Sequence, residues 1–193
     1  MITKSLKNKS RLLTLLFFFI SLSLNAEGLR TGTFKSSLSI HGTSSLHDWE
    51  SVVNQVTGEF VLNNDQIESL VLSVPVLSIK SKDEEKLMDK KTYEALKSNK
   101  NPLITFKLTQ PAKPIISEST AELTLTGDLT IAGITKKITF KSNGIKNGAT
   151  YIFRGNIPLK MSDFKIDPPT AMLGLIKTGD QINLKFNVTI PNP

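Results

Sequence analysis

Gln181-Ile182-Asn183-Leu184-Lys185-Phe186-Asn187-Val188-Thr189-Ile190 sets an apolar side chain at every second position. Successive side chains of an extended chain point to opposite faces, so this spacing predicts a strand with one apolar and one wet face. The same period recurs upstream. Leu38 and Ile40 alternate with serines and His41, and Val56, Gly58, Phe60 and Leu62 alternate up to a turn at Asn63-Asn64-Asp65. Leu70, Leu72, Val74 and Val76 continue the pattern, with Pro75 marking an edge strand or a bulge because proline has no ladder N–H.

Further alternating runs cover 104–108, 121–131, 134–140 and 151–160. Turn residues at Pro111 to Ser119, Ala132-Gly133 and Asn143 to Gly148 separate them. One segment departs from the period. Ser81 to Asn99 is rich in Lys, Glu and Asp, with Leu87, Tyr93 and Leu96 near helical spacing, which predicts a surface helix capped by Ser81 or Asp83 and stopped before Pro102.

The count is about eight strands and one helix, an all-β chain. Antiparallel sheets of that size close into an eight-stranded barrel that leaves no long edge, with a two-sheet sandwich as the alternative. No composition break divides the chain after residue 26. Any edge strand left open offers a route to a homodimer.

Residues 1–26 read as a signal peptide. Lys4, Lys7, Lys9 and Arg11 precede the apolar run from Leu12 to Ile20, and Ala26 supplies a small residue for cleavage. The run is shorter than a bilayer span, so residues 27–193 form the mature domain, expected in the periplasm or secreted rather than integral to a membrane. The charge of +7 includes those four cations, which leaves 20 basic against 17 acidic residues, a net of +3. That field is weak and its cations are spread along strands, which disfavours nucleic acid as a partner. An outer-membrane barrel is excluded by an aromatic content of 7%, with one Trp and two Tyr, too few for two interfacial girdles.

Little in the sequence carries catalytic chemistry. There is no cysteine, and the only histidines, His41 and His47, are too few for a zinc site by themselves. His47 and Asp48 are neighbours that point apart on a regular strand, and no Gly-x-Ser-x-Gly elbow surrounds Ser44 or Ser45. Gly127 and Gly133 belong to a strand and its turn rather than to a phosphate loop, with Gly127 expected at a bend or bulge. These readings predict no catalytic residues, no metal and no cofactor. A hydrolase or isomerase acting on a lipid-like substrate, and a ligand-free structural barrel, stand as the competing readings.

Several stretches together resemble the YceI-like family: Gly42-Thr43-Ser44-Ser45-Leu46-His47-Asp48-Trp49, Val56-Thr57-Gly58-Glu59-Phe60, Asn101-Pro102-Leu103-Ile104-Thr105-Phe106, 125–136 with its Leu-Thr-x-x-Gly-x-Thr-Lys-like core, and Met161-Ser162-Asp163-Phe164-Lys165-Ile166. The resemblance implies a lipocalin-like barrel with a helix at one side, which sequesters or carries a polyisoprenoid, quinone or fatty-acid-like amphiphile in the periplasm. It brings no catalytic residues. Ser44 to Trp49 departs from the family's more usual Asp-x-x-His-Ser arrangement. On this reading Phe60, Leu72, Val74, Phe106, Leu123, Leu125, Phe140, Leu184, Phe186 and Val188 line the ligand cavity, and His41, His47 and Arg154 are the polar groups expected near a ligand head group.

Overall fold

The computed structural model describes residues 29–32, 35–148 and 150–191; the expected signal peptide lies outside them. Its strands are β1 (Leu29–Gly32), β2 (Lys35–Ser44), β3 (Trp49–Val53), β4 (Thr57–Asn63), β5 (Gln66–Pro75), β6 (Ile79–Ser81), β7 (Leu103–Leu108), β8 (Ile115–Ser117), β9 (Thr120–Ile131), β10 (Ile134–Asn147), β11 (Thr150–Lys160), β12 (Thr170–Ala171) and β13 (Ile176–Pro191). Among the described residues there is one α-helix, α1 (Lys86–Ala95), between β6 and β7.

These segments reduce to eight long antiparallel strands. β1 pairs with β4 (Arg30 with Leu62) while β2 pairs with β3 (Leu38 with Val53), so the first two and the next two segments act as one long strand each. β5 and β6 form the third, pairing with β4 and β3 respectively. The order then runs β5 to β7, β9, β10, β11 and β13, and β13 returns to β2 with Phe186 opposite Leu38. The ring is closed. β8 and β12 are short additions on β9 and β13. With every long strand paired on both sides, the described residues offer no long free edge for a second copy.

The period-2 stripes explain the closure. On β9, Ala121, Leu123, Leu125, Leu129 and Ile131 are buried while the intervening Thr124, Thr126, Asp128 and Thr130 occupy the other face. Across that outer face the Thr126 and Thr139 hydroxyls meet at 2.9 Å and the Thr130 and Thr135 hydroxyls at 2.8 Å, cross-strand pairs that fix register. Tight turns close two hairpins where both central residues have positive φ: Asn64-Asp65 (46° and 65°) and Ala132-Gly133 (49° and 80°).

Four local expectations change. Pro75 lies at no sheet edge. β5 runs between β4 and β7, and Pro75 ends it at a bend, where a single 3-10 turn (Val76–Ser78) carries the chain into β6 and the Ser78 hydroxyl donates to Pro75 O at 2.7 Å. The helix is shorter than the charged segment that announced it. Ser81 is a buried residue of β6, and its N–H donates to Asp89 Oδ1 at 2.7 Å, so the contact joins helix to strand instead of capping. Glu85 is the N-cap, without a side-chain bond, and Lys97, at φ 54°, ends the final turn. Asn143 to Asn147 remains strand, because Gly144 makes room for the Phe153 ring rather than turning the chain. Gly127 likewise stays in regular register on β9, under the Phe106 ring.

Candidate functional site: a two-chambered barrel interior

Inward parity fills only part of the barrel. Among the described residues are an outer cavity of about 390 Å³, bordered by α1, and an inner cavity of about 160 Å³ that shares lining residues with it. The larger falls in the range of small-molecule sites. Both are lined mostly by aliphatic and aromatic side chains.

Three elements frame the mouth of the outer chamber: the 44–49 loop, α1 and the 169–176 segment. The loop is built rather than loose. Ser44 Oγ accepts from the N–H groups of Leu46 and His47, both at 3.2 Å, and donates to His47 O at 2.8 Å. Ser45 then locks the loop to β13, its N–H donating to Lys177 O at 2.9 Å and its Oγ accepting from Lys177 N at 3.1 Å. Trp49 donates through Nε1 to Thr43 O at 3.0 Å and lays its indole over Gly42, where a Cβ would collide with the ring. The aromatic thus sits flat on the chamber wall.

The helix is tied across the same opening by its other face. Tyr93 Oη donates to the carbonyls of Leu77 (3.2 Å) and Ile79 (2.9 Å), and Asp89 receives both Ser81 N and the Lys80 ammonium, the latter at 3.2 Å. Those bonds turn Met88, Thr92 and Leu96, spaced four apart, toward the chamber. The sequence reading missed this stripe and the contribution of Pro169 to Met172. The Met88, Thr92, Leu96 spacing was the available signal for the first, while the second has no periodicity to read.

On β13, Asp180 accepts from the Ser162 hydroxyl (2.6 Å) and N–H (2.8 Å). These bonds, that to the hydroxyl foremost, hold its carboxyl below the usual range. They anchor the 3-10 turn Met161–Phe164, whose buried Met161 and Phe164 side chains complete the outer chamber.

The inner chamber carries an aromatic arc. Phe106 on β7 leans over Gly127 on β9, and Phe186 on β13 leans over Gly155 on β11. Both then meet Phe140 on β10 edge to face, with centroids 5.6 and 5.7 Å away. Each ring skips a strand, and each skipped strand supplies a glycine.

All ten residues expected to line a ligand cavity, Phe60, Leu72, Val74, Phe106, Leu123, Leu125, Phe140, Leu184, Phe186 and Val188, border the inner chamber. The three polar groups separate. His47 lies at the mouth of the outer chamber. His41 does not: on β2 it has the parity opposite to Leu38 and Ile40, and it packs on the outer face with Ser39 Oγ (2.9 Å) and Glu50 (3.8 Å). Glu50 is held below the usual carboxylate range chiefly by its hydrogen bond from Lys82 at 2.7 Å. Arg154 also faces out, because its neighbour Phe153 takes the inward position.

No catalytic geometry assembles from the Ser44, His47, Asp48 group. The Ser44 hydroxyl is directed to a main-chain carbonyl, and His47 Nδ1 donates to Asp48 O at 2.7 Å instead of to its carboxylate. Among the described residues no three His, Asp or Glu side chains converge to hold a metal, and no helix is long and apolar enough to cross a membrane.

A family model described as the YceI-like domain matches residues 25–190, almost the whole chain. The chain belongs to the YceI-like family. Solved structures carry the same fold. BcnA of Burkholderia cenocepacia aligns with a TM-score of 0.66 at 19% identity, over 80% of this YceI-like chain and 96% of its own. A polyisoprenoid binding domain from Saccharophagus degradans, implicated in plant cell wall breakdown, aligns with a TM-score of 0.65 at 11% identity, over 86% and 99%. A mutant Campylobacter jejuni YceI protein aligns with a TM-score of 0.51 at 20% identity, over 97% and 99%. No curated protein sequence matches the chain. At these identities the likeness establishes a shared lipocalin-like architecture.

Proposed function

We propose that this YceI-like protein is exported and acts as a binder of an apolar amphiphile, a polyisoprenoid, quinone or fatty-acid-like molecule, without turning it over. The observation that carries the reading is the pair of apolar chambers in line along a closed barrel, with the polar side chains His47, Glu85 and Lys91 gathered at one mouth. The tail enters first. Each methylene moved from water into such an interior contributes about 0.8 kcal/mol, so a chain of several isoprene units gains several kcal/mol before association costs. His47 and Lys91 then stand where a polar end group remains near water.

The lining of the deep chamber supports binding over turnover. Among the described residues, the polar residues bordering the deep chamber are serines, Ser36, Ser37 and Ser142, with no acid or base to move a proton. The signal-like residues 1–26 support export, and the family's polyisoprenoid binding neighbour supports the ligand class.

Mass spectrometry of organic extracts tests this, on protein gently purified from a bacterial host with its own leader. A stoichiometric isoprenoid, quinone or fatty acid is the expected finding. A protein that is recovered empty and takes up none of these classes from solution contradicts it.

A further inference from the structure

We propose that the barrel measures ligand length at a waist between its chambers, formed by Leu38, Val74, Ile104 and Leu184. This rests on the apolar-ligand reading and adds what sets its selectivity.

Among the described residues, only these four border both cavities. They come from two sides of the barrel. Val74 and Ile104 are direct cross-strand partners on β5 and β7. Leu38 and Leu184 lie on the adjacent strands β2 and β13, and in the closed eight-strand order β13 is diametrically opposite β7. Two pairs of aliphatic side chains therefore border the passage between the cavities from opposite sides of the barrel. Above them the outer chamber has polar groups at its rim; below them the wall is apolar apart from its serines.

A short chain satisfies the outer chamber alone. A longer one must thread between the four side chains to bury its remaining methylenes in the inner chamber of about 160 Å³. Affinity should thus rise with chain length in a step that depends on the waist. An apolar tunnel has little other means of telling homologues apart, since each methylene carries the same small increment.

The test uses geraniol, farnesol and geranylgeraniol, titrated against the mature protein and against Leu184→Trp, which fills the waist from β13. Wild type should bind the two longer alcohols more tightly than geraniol. Leu184→Trp should lose about tenfold more affinity for geranylgeraniol than for geraniol, the equivalent of about two methylenes kept in water. Ile104→Phe, which narrows the waist from the opposite wall, should repeat the pattern if the indole unsettles the fold. Equal weakening of all three alcohols in both folded variants, or a chain-length gain that survives in both, overturns the waist. If wild type binds none of the three, the apolar-ligand reading itself fails.

Discussion

Phe186 crosses Gly155. The ring rises from β13, lies over the glycine of the neighbouring β11, and reaches Phe140 on β10 at 5.7 Å and an interplanar angle of 75°. Phe106 does the same from the other side over Gly127. Glycine in a strand interior forfeits side-chain packing, and here a ring from the next strand covers it instead. The inner chamber keeps its volume because the rings lie along its wall.

Gly155→Val should therefore push Phe186 off the wall and into the inner chamber. Overpacking of this kind costs about 1 to 3 kcal/mol. The expected outcome is a lower midpoint in urea unfolding together with weaker uptake of long-chain ligands; unchanged values of both would show that the ring does not depend on the glycine.

Tyr93→Phe removes the donor that serves Leu77 O and Ile79 O while leaving the ring in place. About 1 kcal/mol of stability should go with it. Hydrogen exchange should accelerate in α1 (Lys86–Ala95) more than in β9, because the bonds lost tie the helix to β6.

Asp180 stabilises the Met161–Phe164 turn only as a carboxylate. Its pKa is lowered in the folded chain, so its contribution is complete above the unfolded value of about 3.9 and is lost as pH falls through the lower folded value. Stability followed from neutral pH down into acid should separate Asp180→Asn from wild type above about pH 4 and bring the two together well beneath it. Parallel curves at all pH values would contradict the assignment.

His41→Ala and Arg154→Ala should leave ligand uptake unchanged, since both side chains lie on the outer face. His47→Ala, at the mouth, should weaken ligands with an anionic end group more than neutral alcohols of the same length. Equal titrations for all three variants would remove His47 from the site.

Much of the barrel was legible because its signal is additive. Each stripe such as 182–190 needs only one apolar parity to be buried, and eight such stripes with short turns leave few architectures. Local errors arose where one residue type has two physical uses. Gly144 and Gly127 look like turn or bulge residues to a reader of propensities, yet each serves an aromatic on the next strand. Ser81 looks like a cap, yet its N–H is claimed by Asp89 eight residues on. The ten inward positions follow from parity, and the same parity, read beside Ile40, turns His41 outward. The mouth was least legible, because α1 and the 169–176 segment reach it through tertiary contacts without a period-2 stripe of their own.

The most direct measurement uses the chain's single tryptophan, Trp49, which borders the outer chamber. Fatty acids of one length, brominated either near the carboxyl group or near the methyl end, are titrated while its fluorescence is followed. A chain bound tail-inward places the carboxyl-proximal bromine beside the indole, so that isomer should quench strongly and the methyl-end isomer weakly. Saturable binding with the opposite order would reverse the orientation, and the absence of quenching by either isomer would contradict a lipid held in the barrel.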